Sequence, residues 1–71
     1  MTKAEFLSQL NEKISALPDT DIAERISFYS EMIDDRIEEG ITEEEAVAAI
    51  GTVDEIVKQV IAETPLAKIA K

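Results

Sequence analysis

Three times in this chain a threonine is followed, three residues later, by a glutamate at the head of an apolar run: TKAE at 2–5, TEEE at 42–45 and TVDE at 52–55. Each reads as a capping box. The threonine hydroxyl takes the backbone N–H of the third helical residue, and the glutamate carboxylate reaches back to the threonine's own N–H. No stretch between these starts alternates apolar and polar residues, so no strand is indicated. The chain is expected to be all-α.

The apolar spacing and the stops agree. Phe6, Leu7, Leu10, Ile14 and Leu17 recur at steps of three and four, which predicts a first helix running from Thr2 to Pro18. A proline pushes the residue before it out of the helical region and ends the element there. PDTD at 18–21 then opens a second helix with acids in its first turn, where the positive end of the dipole favours them. Its main stripe is Ile22, Ile26, Tyr29, Ile33 and Ile37, and Gly40 suits a left-handed C-terminal cap. Asp21 and Arg25 stand one turn apart and can pair.

In the second half, Ile41 precedes the Thr42 cap and can staple onto Ala46. Val47 and Ile50 give a short third helix its apolar face before Gly51 ends it. Val53, Ile56, Val57, Val60 and Ile61 then mark a fourth helix that runs to Pro65. The expected architecture is a compact bundle of about four helices, two long, one short and one medium, with the second helix lying between the first and the last two. Residues 1–63 form the acidic domain. Residues 64–71, TPLAKIAK, carry two lysines and no acid, and read as the start of a connector.

Charge narrows the function. The chain holds 16 acids and 7 bases, a net −9, and a phosphate backbone would repel that field. A basic protein surface or a cation is the compatible partner. There is no cysteine and no histidine, which removes disulfides, Cys/His zinc sites and the usual base near neutral pH. Ser8, Ser15, Ser27 and Ser30 have no histidine to activate them, and Lys13 and Lys58 sit in no suggestive context. The reading is therefore non-enzymatic, with no catalytic residue, no cofactor and no metal ligand assigned. The N-terminus lacks the basic and apolar regions of a signal peptide, and no apolar run is long enough to span a membrane.

At SFYSEMIDDRIEEGITEEEAVAAIGTVDEIV, residues 27–57, the sequence closely resembles the HAAS family, the HTH-associated alpha-helical signalling domain. MTKAEFLSQL is similar to the family's opening, LPD to its first break and FYSEMIDDRIEEG to its middle helix. TEEEAVAAIG and TVDEIV resemble its second half, and ETPLAKIAK resembles the approach to a membrane-spanning region. The resemblance implies a cytosolic N-terminal domain of a bacterial membrane protein, on the cytosolic face of the cell membrane and attached only through sequence beyond Lys71. It also implies a PadR-like winged-helix transcription regulator as partner and no enzymatic activity. No direct contact with nucleic acid is implied.

The residues themselves offer one candidate surface. Asp34, Asp35, Glu38 and Glu39 form two carboxylate pairs spaced four apart on the second helix. Glu38 and Glu39 fall in its last turn, where the dipole disfavours acids by about 0.3–1 kcal/mol each. Arg36 is spaced to offset Glu39, and a partner's basic surface would do so better. Phe28 and Met32 lie off the main stripe and form a second apolar strip one turn apart. Such a strip is either core, if the helix has neighbours on two sides, or a contact for a partner or a second copy. The alternatives to a signalling module are a divalent-cation sensor built on the acids of 34–45 and a structural spacer that forms homodimers.

Overall fold

The computed structural model describes residues 1–65 and residue 67. Four helices follow in order: α1 (Lys3–Lys13), α2 (Asp19–Glu38), α3 (Glu43–Ile50) and α4 (Val53–Glu63). The connector expected over 64–71 falls mostly on residues 66 and 68–71, which lie outside the described residues. Thr64 closes α4: its Oγ1 donates to the Val60 carbonyl at 2.7 Å.

The capping residues do what their spacing predicts. Thr2 Oγ1 accepts the Glu5 N–H at 3.2 Å while Glu5 Oε1 accepts the Thr2 N–H at 2.9 Å. Thr52 and Glu55 repeat the reciprocal pair, both at 3.1 Å. At α3 only half of the box forms. Thr42 Oγ1 accepts the Glu45 N–H at 3.2 Å, but the Glu45 carboxylate takes the Thr42 hydroxyl at 3.1 Å instead of its N–H. Gly40, with φ +103°, ends α2 in a Schellman turn. Its N–H donates to the Ile37 carbonyl and the Ile41 N–H to the Arg36 carbonyl.

Two expectations are corrected. The first helix stops at Lys13, not at Leu17, so α1 and α4 are equally long at 11 residues each. Ile14 leaves the helical region at φ −105°, ψ 20°, and the Leu17 N–H closes on the Ile14 carbonyl at 3.0 Å. That tighter three-residue turn brings Ile14 and Leu17 onto one side, and both end up buried. The central helix is α1, not α2. It packs against α2, α3 and α4, and α2 packs against α1 and α3. Accordingly Phe6, Leu10 and Ile14 have no exposed surface at all.

The core joins these residues to Leu17, Tyr29, Ile33, Ala46, Val47, Val53, Ile56 and Val60. It is aliphatic around two aromatic rings, and each large side chain buried there contributes about 1.5–3 kcal/mol. No polar or charged side chain among the described residues is buried. Ion pairs sit on the rim and join helices: Lys13 to Asp54 at 3.6 Å, and Arg25 to Glu63 at 2.9 Å. At 20 residues α2 is about 30 Å long, roughly twice α1, and Phe28, Asp35 and Glu39 stay exposed along one flank of it.

Candidate functional site

The six candidate residues all lie on α2, and helix geometry divides them. At about 100° per residue, Phe28, Met32, Asp35 and Glu39 fall within roughly 60° of one another. Asp34 and Glu38 lie roughly 90–130° round the helix from that stripe, and Tyr29 and Ile33 turn the opposite way into the core. The structure therefore brings together four of the six and separates the other two.

Asp34 is already occupied. The Lys3 ammonium reaches its Oδ1 at 2.7 Å, and the Lys3 backbone N–H donates to Glu43 Oε2 at 3.1 Å. The Met1 ammonium stands 4.0 Å from Glu44. The N-terminus thus neutralises part of the acidic stretch from 34 to 45. Sequence spacing missed this role of Lys3 because its partners are 31 and 40 residues away.

The stripe of four is different. Phe28 is 52% exposed, so it is not the second core strip of a sandwiched helix. Its ring meets the Tyr29 ring edge to face, with centroids 5.0 Å apart and planes at 75°. Such a contact fixes the ring without burying it. Met32 is half-buried and packs at the edge of the core. Met32, Asp35, Arg36 and Glu39 line a shallow hollow of about 200 Å³. Among the described residues no cation comes within 4.0 Å of Asp35, Glu38 or Glu39, so Arg36 does not close the pair that its spacing suggests.

Elsewhere the surface offers little chemistry. Two open grooves are lined by apolar and polar side chains together. One of about 490 Å³ runs between α1 and the α3–α4 turn, and one of about 520 Å³ between α1 and the first half of α2. No three carboxylates converge to hold a metal ion among the described residues. With no charged side chain buried there, no carboxylate pair is desolvated enough to divide into acid and base. The Thr2 N–H and hydroxyl beside Glu5 hold its carboxyl below the ordinary glutamate value. No helix of the described residues is long and apolar enough to cross a membrane.

Compared with known proteins, the chain matches the HAAS family model over residues 5–59. That range begins in the first turn of α1 and ends inside α4, so it includes α2 and α3 entire and most of α1 and α4. No curated protein and no solved structure matches the chain.

Proposed function

The chain belongs to the HAAS family of helical, non-catalytic signalling and interaction domains, and from that premise we propose that it couples a membrane-anchored protein to a PadR-like winged-helix transcription regulator. The family match across all four helices is the observation that carries this reading. In it, the acidic domain of residues 1–63 works on the cytosolic face of the cell membrane, and residues 64–71 lead toward a spanning region. The bundle acts by protein–protein contact. A net charge of −9 suits a basic partner surface and disfavours direct contact with DNA, so the regulator supplies the nucleic-acid binding.

Isothermal titration of purified residues 1–71 into the PadR-like regulator encoded nearest the gene tests the proposal. A saturable complex in the micromolar range or tighter is the expected result, as for a transient signalling contact. No heat and no co-elution at the highest soluble concentrations would remove it. Running the titration with and without Mg²⁺ and Ca²⁺ separates this function from cation sensing, since a cation sensor would bind its partner in one condition only.

A further inference from the structure

Phe28, Met32, Asp35 and Glu39 form a ridge on one flank of α2, with Phe28, Asp35 and Glu39 exposed and Met32 half-buried at the edge of the core. We infer that this ridge is the docking surface for a basic amphipathic helix of a partner protein. The inference rests on the interaction-domain reading and assigns that reading a place and a chemistry.

Spacing is the first argument. Steps of four, three and four residues place the side chains along about three turns of one face, with Phe28 and Glu39 about 16 Å apart. An incoming helix repeats with the same period, so its side chains stay in register along the whole ridge. Apolar residues of the partner meet Phe28 and Met32 at one end, and its lysines or arginines meet Asp35 and Glu39 at the other.

Charge is the second argument. Asp35 and Glu39 have no cation within ion-pair distance among the described residues, whereas Asp34 on the neighbouring face is taken by Lys3. Glu39 also caps the negative end of the α2 dipole, where an acid is disfavoured until a positive charge approaches. A second copy of the chain fits poorly, because it would press one acidic ridge against another on molecules that each carry −9.

The ring is the third. Phe28 is half-exposed and makes an edge contact with Tyr29 that favours one placement of the ring, so part of the ordering cost of binding is already met. Aromatic anchors of this kind carry a large share of the energy in small interfaces.

The test uses a synthetic amphipathic helical peptide of leucine and lysine as probe, followed by amide chemical shifts and titration of residues 1–71. Shifts centred on residues 28–39 of α2 are expected. Phe28→Ala, and separately Asp35→Lys with Glu39→Lys, should each weaken binding by about tenfold or more, as central contacts do. Glu12→Lys with Asp19→Lys makes the same change in net charge at exposed positions away from the ridge and should weaken it less than about threefold, as screened charges do. Equal losses from the two charge-reversed pairs, or shifts centred on another helix, overturn the inference. Sedimentation showing a dimer whose formation Phe28→Ala abolishes overturns it as well. Should Phe28→Ala fail to fold, the two charge-reversed pairs decide alone. Failure here with an intact regulator titration leaves the interaction function standing and moves its surface elsewhere.

Discussion

Lys3 reaches Asp34 Oδ1 with its ammonium at 2.7 Å while its backbone N–H donates to Glu43, so one residue at the start of α1 ties that helix to both α2 and α3. The pair stands where the α2–α3 hairpin could otherwise swing away from the central helix. It is also half in solvent, with side chains 27% and 51% exposed.

Exposure limits what the Lys3–Asp34 pair can contribute. A double-mutant cycle with Lys3→Ala and Asp34→Ala, read by urea denaturation, should give a coupling of about 0.2–1 kcal/mol that shrinks as salt is raised. A coupling several times larger and indifferent to salt would mean that the pair is effectively desolvated. The Lys3 N–H contact with Glu43 persists in both variants, because it belongs to the backbone.

Phe6 and Phe28 should behave as opposites. Phe6 is fully buried, and Phe6→Ala should cost about 3–5 kcal/mol through lost contacts and a cavity. For a 71-residue domain that is a large fraction of the total stability, so thermal melting by circular dichroism should show a midpoint lowered by roughly 15–30 °C. Phe28→Ala should cost about 1 kcal/mol or less, as half-exposed positions do. A severe loss at Phe28 would place it in the core after all.

The two glycines separate backbone strain from steric crowding. Gly40 sits at φ +103° with open space where a Cβ would stand. Gly40→Ala should therefore cost about 1–2 kcal/mol from conformation alone. Gly51 has φ +123° and ψ −178°, a region essentially reserved for glycine. A Cβ there would also meet Glu55 Oε1 at 3.3 Å, the carboxylate that caps α4. Gly51→Ala should be the more damaging of the two by urea denaturation, and the reverse order would contradict this account.

Glu5 gives a sign for the acid limb of the stability curve. The Thr2 backbone N–H, then its hydroxyl, favour the ionised carboxylate and lower the pKa in the folded state. A group depressed by folding contributes stability above its unfolded pKa and loses it as pH falls through the folded value. An NMR titration should find Glu5 ionising below the ordinary glutamate range. Glu5→Gln should remove that part of the pH dependence, so its stability difference from the parent should be largest at neutral pH and vanish in acid. A difference that grew in acid would reverse the assignment.

Much of the fold was legible because helix grammar is local. The boxes at Thr2 and Thr52, the cap at Thr42 and the glycine stops at 40 and 51 are set by residues within a few positions of one another. The stripes placed Phe6, Leu10, Ile33, Val47 and Val60 in the core because burial follows helical period, although Ile37 on the same stripe as Ile33 ends 37% exposed. The end of α1 was less legible. Pro18 marks where a helix must have stopped, but burying Ile14 and Leu17 together favoured a tighter turn several residues earlier.

The candidate surface divides along the same line. From sequence, nothing divides Asp34, Asp35, Glu38 and Glu39 into acids paired within the fold and acids left bare, and Phe28 and Met32 are as readily core as surface. Only the packing of α1 against the other three helices made Phe28 exposed and brought Lys3 to Asp34 while leaving Asp35 and Glu39 without a cation. The sequence by itself determined where helices begin, which face of each is apolar, and that the whole is acidic. Those properties depend on neighbours one turn apart and on a sum of charges. Which helix is central, which flank stays bare and which acids are spent within the fold were decided by tertiary structure, because they depend on contacts between residues far apart in the chain, such as Lys3 with Asp34 and Glu43 at 31 and 40 positions, whose meeting is fixed by packing and not by spacing.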